Sequence, residues 1–131
     1  MPNIIKVLFI EDDPDQIFLF SKVFDLKGLL TMPATTSDEV FKVISWDKPD
    51  IVLLDVMLRN ENGLDIMEKL KKDSRVKGVP FFVFTNTDKE EYRDRAEKLG
   101  ADRYIIKANT TPQEMVERIK KFVENRKMSA S

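Results

Sequence analysis

The 131-residue sequence contains no cysteine and no histidine. Without thiols it can build neither a disulfide framework nor a thiolate metal site, which excludes stapled secreted scaffolds and zinc fingers. Without imidazole it cannot support Ser-His-Asp or Cys-His catalysis, an HExxH zinc site or a phosphohistidine carrier. Charge of one sign is also missing, because 22 Lys and Arg stand against 23 Asp and Glu. No net basic field draws nucleic acid. No apolar run approaches the ~20 residues that span a bilayer, and Met1 to Asn3 do not open a signal-like segment. Low-complexity segments, linkers and solenoid repeats are absent too. These absences lead us to expect a soluble, cytoplasmic protein of one domain, with no membrane partner and no direct nucleic-acid partner. Its chemistry must come from carboxylates, lysine, threonine or a hard metal ion.

What is present is an alternation of short apolar runs and amphipathic stretches. Ile4 to Ile10 reads as a strand buried on both faces, ended by Glu11, Asp12 and Asp13. Asp13 before Pro14 is an N-cap, and Ile17, Phe20, Val23 and Phe24 form the stripe of a helix that stops at Gly28. Leu29 to Ala34 is a weaker strand whose Pro33 suits a sheet edge. Thr36 to Glu39 is a capping box for a helix through Trp46, which is expected to pack at the helix end. Ile51 to Met57 is the clearest buried strand, and Leu64 to Lys72 the helix that follows it. Val79 to Phe84 is the fourth strand. Thr87 to Glu90 reads as a second capping box, with a helix running to Leu99 and a terminating Gly100. Tyr104 to Lys107 is a fifth strand, its tyrosine half-buried by type. Thr111, Pro112 and Glu114 open the last helix, with Met115, Val116, Ile119 and Val123 inward, and Lys127 to Ser131 is expected to be a frayed polar tail. Lys71, Lys72, Lys120, Lys121, Arg126 and Lys127 read as solvated helix faces. Strands alternating with helices through short loops define a doubly wound α/β fold with a parallel sheet and helices on both faces.

In such a sheet, ligands sit beyond the carboxyl ends of the strands. The residues found there are Glu11 and Asp12 after the first strand, Asp55 near the end of the third, Thr85 after the fourth and Lys107 at the end of the fifth. Asp55 is the one carboxylate in a run too apolar to want it. Clustered carboxylates repel unless a cation compensates, and all-oxygen ligands suit Mg²⁺ or Mn²⁺. Asp55 can then act as a nucleophile toward phosphorus, with Lys107 stabilising charge on the transferred group and Thr85 donating to a phosphoryl oxygen.

These residues, at these spacings, resemble the receiver domain of two-component response regulators over Ile4 to about Arg126, in a stand-alone, chemotaxis-regulator-like form. The resemblance implies a flavodoxin-like, five-stranded sheet in the order 2-1-3-4-5 with five helices. It implies Asp55 as phosphoacceptor; Glu11, Asp12, Asp55 and the backbone carbonyl of Met57 at a Mg²⁺ site with Asp12 the direct ligand; Thr85 and Lys107 as phosphoryl contacts; and Thr85 and Tyr104 as the switch pair. Gly63 falls at the family's glycine after the third strand. The implied activity is phosphoryl transfer from a sensor histidine kinase or phosphotransfer protein to Asp55, then self-hydrolysis, with no external substrate. Output is expected through a protein target at the face of the fourth helix, fifth strand and fifth helix, from a monomer or weak homodimer without an output domain.

Three positions depart from the family pattern. Ala108 stands where the family has a cis-linked proline, Asn86 where a small residue is common, and Arg59 where proline is frequent. Ala108 and Asn86 support one alternative, a degenerate receiver that binds its partner without phosphorylation. Other classes fit less well. A nucleotide-binding flavodoxin-like protein wants a phosphate cradle where this chain has an acidic loop; a dehalogenase-type phosphatase needs an Asp where Met57 stands; and the P-loop motif is missing.

Overall fold

The computed structural model describes residues 4–130, so the amino-terminal reading at Met1 to Asn3 and the last tail residue, Ser131, lie outside the described residues. The chain runs β1 (Ile5–Ile10), α1 (Pro14–Leu26), β2 (Leu29–Ala34), α2 (Ser37–Trp46), β3 (Ile51–Leu54), α3 (Gly63–Lys71), β4 (Phe81–Thr85), α4 (Glu90–Leu99), β5 (Arg103–Ile106) and α5 (Pro112–Ala130). All pairings are parallel, in the order β2-β1-β3-β4-β5. This is the expected doubly wound, flavodoxin-like topology.

Alternation along the strands divides the core into two layers. Val7, Phe9, Leu53, Phe82 and Phe84 face Phe20, Phe24, Met115, Ile119 and Val123 of α1 and α5. Leu8, Ile10, Val52, Leu54 and Val83 face Val40, Ile44, Leu64, Met67, Leu70 and Ala96 of α2, α3 and α4. The first layer is aromatic: Phe20 meets Phe84 edge-on, with centroids 5.1 Å apart. Such a pair adds about 0.5–1.5 kcal/mol beyond its buried area.

Local chemistry sets the helix starts. Asp13 accepts from the N–H groups of Asp15 and Gln16, and Thr36 from that of Glu39. Thr111 and Glu114 form a reciprocal box at α5, the N–H of Glu114 donating to Thr111 Oγ1 at 3.1 Å. At the edge strand β2, Pro33 offers no N–H, and the N–H of Thr31 is occupied by Asp25 Oδ1 at 3.1 Å. Both features blunt the edge against strand addition.

Three expectations are corrected and a fourth is extended. The box at Thr87 does not form: α4 begins at Glu90, after Lys89, which makes no side-chain cap. The phenol of Tyr104 holds the Thr87 carbonyl outside the helix. Trp46 does not pack; it is 84% exposed, because the inward stripe of α2 runs through Val40 and Ile44 and turns residue 46 to solvent. Lys127 to Ala130 continue α5 rather than fray, as no glycine or proline follows Pro112 to stop the helix. Lys71 and Arg126 are more than solvated: each donates to a backbone carbonyl, of Gly100 and Gly78 respectively, and Lys71 lies 4.7 Å over the Phe81 ring.

Candidate functional site

Glu11, Asp55, Thr85 and Lys107 come from the carboxyl ends of four different strands and meet in one buried cluster. Lys107 Nζ donates to Asp55 Oδ2 at 2.8 Å and forms a second ion pair with Glu11 Oε1. Thr85 Oγ1 donates to Asp55 Oδ1 at 2.6 Å, an oxygen that also accepts the N–H of Met57 at 3.1 Å. Glu11 Oε2 accepts from the N–H groups of Asp12 and Asp13, so every carboxylate oxygen of this buried pair has a donor. Unlike these, Asp12 lies at the rim, its Oδ2 accepting the N–H of Arg59, and Asp13 is exposed and serves the cap of α1.

Asp55 lies just past the end of β3 and is fixed by its backbone. Its N–H donates to the Ile10 carbonyl at 3.0 Å, and its own carbonyl is packed against Gly63. A Cβ on Gly63 would lie 1.8 Å from that oxygen, so α3 can start here only with glycine. The N–H of Gly63 then donates to the Val56 carbonyl at 2.8 Å, closing the loop that carries Met57.

Burial and pairing compete in the cluster. For Glu11 burial is the larger influence, and it outweighs the pull of Lys107, raising the carboxyl above its ordinary value. For Lys107 burial acts to lower the value, but Asp55 and Glu11 together raise it, so the ammonium is held charged. Because the folded Glu11 binds its proton more tightly than the unfolded chain, its contribution is fully present below the ordinary value of 4.5 and is lost as pH rises through the folded value. In metal-free buffer, the urea-unfolding free energy of wild type relative to Glu11→Gln is therefore expected to fall as pH climbs from 4.5. A difference that stays flat or grows would show that pairing with Lys107, not burial, governs Glu11.

Among the described residues, no three carboxylates gather closely enough to cage an ion, and both Glu11 and Asp55 are paired with Lys107. The donors at hand, the carboxylates of Asp12 and Asp55 and the Met57 carbonyl, are all hard oxygens. Mg²⁺ takes only one or two carboxylates and keeps its waters, so this donor set fits it by type.

Tyr104 is half-buried as its type suggested. Its hydroxyl donates to the Thr87 carbonyl at 2.7 Å, and the Arg93 guanidinium lies 4.5 Å over its ring while pairing with Asp88. Burial pushes the phenol up. One contact joins two of the departing positions and has no signal in the local sequence: the N–H of Ala108 donates to Asn86 Oδ1 at 2.8 Å. Ala108 lies in a 3-10 turn, Lys107–Asn109, and no cis peptide occurs among the described residues.

An aspartate, a threonine and a lysine thus meet at the carboxyl edge of a 2-1-3-4-5 sheet, with an acidic pair beside them. Residues 7–120 match the family described as the response regulator receiver domain. The chain is 31% identical over 115 residues to the phosphate regulon transcriptional regulatory protein PhoB of Escherichia coli K12, covering 88% of this chain and 50% of that protein. It thus spans about half the length of such relatives. Among solved structures, the CheY-like receiver domain protein of Methanospirillum hungatei JF-1 superposes with a TM-score of 0.87 at 22% identity, covering 97% of this chain and 99% of that one. The BeF3-activated N-terminal receiver domain of Klebsiella pneumoniae RstA gives 0.79 at 28% identity, covering 90% and 97%. The chain belongs to the response regulator receiver domain family, the receiving half of two-component systems.

Proposed function

We propose that Asp55 is the phosphoacceptor of a two-component pathway. The observation that carries this reading is the pair of donors converging on one buried carboxylate, Thr85 on Oδ1 and Lys107 on Oδ2. A carboxylate oxygen of Asp55 attacks the phosphorus of a donor, a phosphohistidine on a sensor kinase or phosphotransfer protein or a small acyl phosphate. The new P–O bond forms as the bond to the donor breaks, and the leaving group departs with its electron pair. Lys107 offers its positive charge to the incoming phosphoryl oxygens, and Thr85 can transfer its hydroxyl donation from Asp55 to one of them. Asp12, Asp55 and the Met57 carbonyl, with Glu11 of the same acidic pair, would hold Mg²⁺, which when bound would supply further neutralisation of phosphoryl charge. Hydrolysis by water returns the carboxylate. The chain thereby promotes its own phosphorylation and dephosphorylation and acts on no external substrate.

As Thr85 turns toward the phosphoryl group, the β4–α4 loop moves with it, and Tyr104, tied to Thr87 in that loop, changes its surroundings. The surface of α4, β5 and α5 is then the output, read by a downstream protein in the cytoplasm, with the chain a monomer or weak homodimer. No helix among the described residues is long and apolar enough to cross a membrane.

The test is intact-protein mass spectrometry after incubation with acetyl phosphate, with and without Mg²⁺. We expect a Mg²⁺-dependent gain of about 80 Da, one HPO₃, that is absent in Asp55→Asn. No adduct from acetyl phosphate or from a phosphorylated kinase would overturn the reading in favour of a phosphorylation-independent binding module.

A further inference from the structure

The pairing of β4 with β5 ends at Thr85 opposite Ile106. Beyond that pair the two segments enter the loops from which the site takes its donors, with Thr85 at the head of one and Lys107 at the head of the other. One residue past the last pair on β4, the side chain of Asn86 reaches across, and its Oδ1 accepts the N–H of Ala108 at 2.8 Å. A side-chain carbonyl here stands in for a backbone carbonyl and adds one rung to the ladder.

That rung needs both residues. A proline at 108 has no N–H to give, and an alanine or glycine at 86 has no acceptor to offer. The two departures from the family pattern are thus a single feature of this chain. Apart from the Lys107 ammonium, which reaches Asp55 and Glu11, the other bonds about the 107–109 turn are short-range: the N–H of Thr110 donates to the Lys107 carbonyl at 3.1 Å, and Thr110 Oγ1 donates to the Ile106 carbonyl at 3.1 Å. They shape the turn without fixing its distance from β4.

We infer that Asn86 is a positioning residue for phosphoryl transfer, holding the Lys107–Asn109 turn in register with Thr85 through the N–H of Ala108. The inference rests on the reading of Asp55 as phosphoacceptor. Before transfer, Lys107 is held at its tip by Asp55 and Glu11. During transfer the charge on Asp55 moves to the phosphoryl oxygens, and the lysine must follow it from a backbone that stays in place. Asn86 and Ala108 are both exposed, so water competes for the bond and its effect is that of one modest neutral hydrogen bond.

The test uses the full chain as wild type, Asn86→Ala, Ala108→Pro and the double variant. Amide hydrogen exchange at Ala108, read by NMR without any phosphodonor, is expected to accelerate roughly two- to fivefold in Asn86→Ala. With acetyl phosphate and Mg²⁺, the limiting rate of adduct formation is expected to fall by a similar factor, with the half-saturating concentration unchanged. On the Ala108→Pro background, Asn86→Ala is expected to have no further effect, which a general loss of stability would not produce. Unchanged exchange at Ala108, additive effects in the double variant, or a limiting rate that holds or rises in Asn86→Ala would each overturn the inference. Absence of any adduct in wild type, from acetyl phosphate and from a phosphorylated kinase alike, would instead overturn the phosphoacceptor reading and the positioning role with it, while exchange at Ala108 would still decide whether the rung exists.

Discussion

Lys107→Met is expected to destabilise the protein by about 3–5 kcal/mol at neutral pH, the range for removing one partner from a buried ion pair. Methionine fills most of the lysine's volume, so the loss is not one of packing. It leaves Glu11 and Asp55, both buried, facing one another without the cation that each now contacts. The pH dependence identifies the cause. Protonation of Glu11, whose carboxyl burial already holds above its ordinary value, relieves the repulsion, so the gap between wild type and variant should narrow as pH falls. Urea unfolding at several pH values in the presence of a chelator measures this directly. A gap under about 1 kcal/mol, the size of an exposed pair, or one independent of pH, would mean that water or rearrangement already compensates the two acids.

Gly63→Ala should be as damaging, for a steric reason. The added methyl would lie 1.8 Å from the Asp55 carbonyl oxygen, 2.9 Å from its carbon and 3.1 Å from Leu54 Cδ1. Two of the three obstacles are backbone, which cannot rotate away as a side chain can. Either α3 retreats and loses the bond from the Gly63 N–H to Val56, or Asp55 leaves its place between Thr85 and Lys107. Overpacking typically costs about 1–3 kcal/mol and occasionally more, and the two backbone obstacles put this case at the upper end. We expect a melting temperature lowered by roughly 10 °C or more, and a displaced Asp55 amide resonance. A variant melting within about 2 °C of wild type, with that resonance unmoved, would show that the loop from Asp55 to Gly63 yields easily.

Much of this was legible in the sequence, because the strands are buried on both faces and read as continuous apolar runs. Against that background Asp55 stood out as a carboxylate with no structural excuse, and the residues after each strand pointed to one edge. The pairing of Lys107 with Glu11 was not legible: it joins residues 96 apart, and no local pattern encodes which acid a lysine will choose. Nor was the steric reason for Gly63, since a turn glycine and one pressed against a backbone carbonyl look alike in sequence. Thr87 misled because its capping pattern is local, whereas the hydrogen bond from Tyr104 that holds it out of the helix is tertiary. Trp46 misleads because a large apolar side chain at a helix end suggests packing, although its place around α2 turns it to solvent. Asn86 and Ala108 were visible singly as departures, but only the folded chain brings them within bonding distance.

The helix α4 buries a single residue fully, Ala96, with Tyr92 and Leu99 packed partly against the core, and a side-chain ion pair from Arg95 to Asp65 ties it to α3 at 2.6 Å. By contrast, α3 buries Gly63, Leu64, Ile66, Met67 and Leu70. Free energies of local opening follow buried apolar contact, so α4 should be the segment that detaches most often while the sheet stays intact. Under the proposed function, a phosphoryl group arriving at Asp55 therefore need not work against the global stability of the fold. It has only to tilt a shallow local equilibrium, and small changes in the β4–α4 loop can be read at a distance as a change in how often one helix is in place.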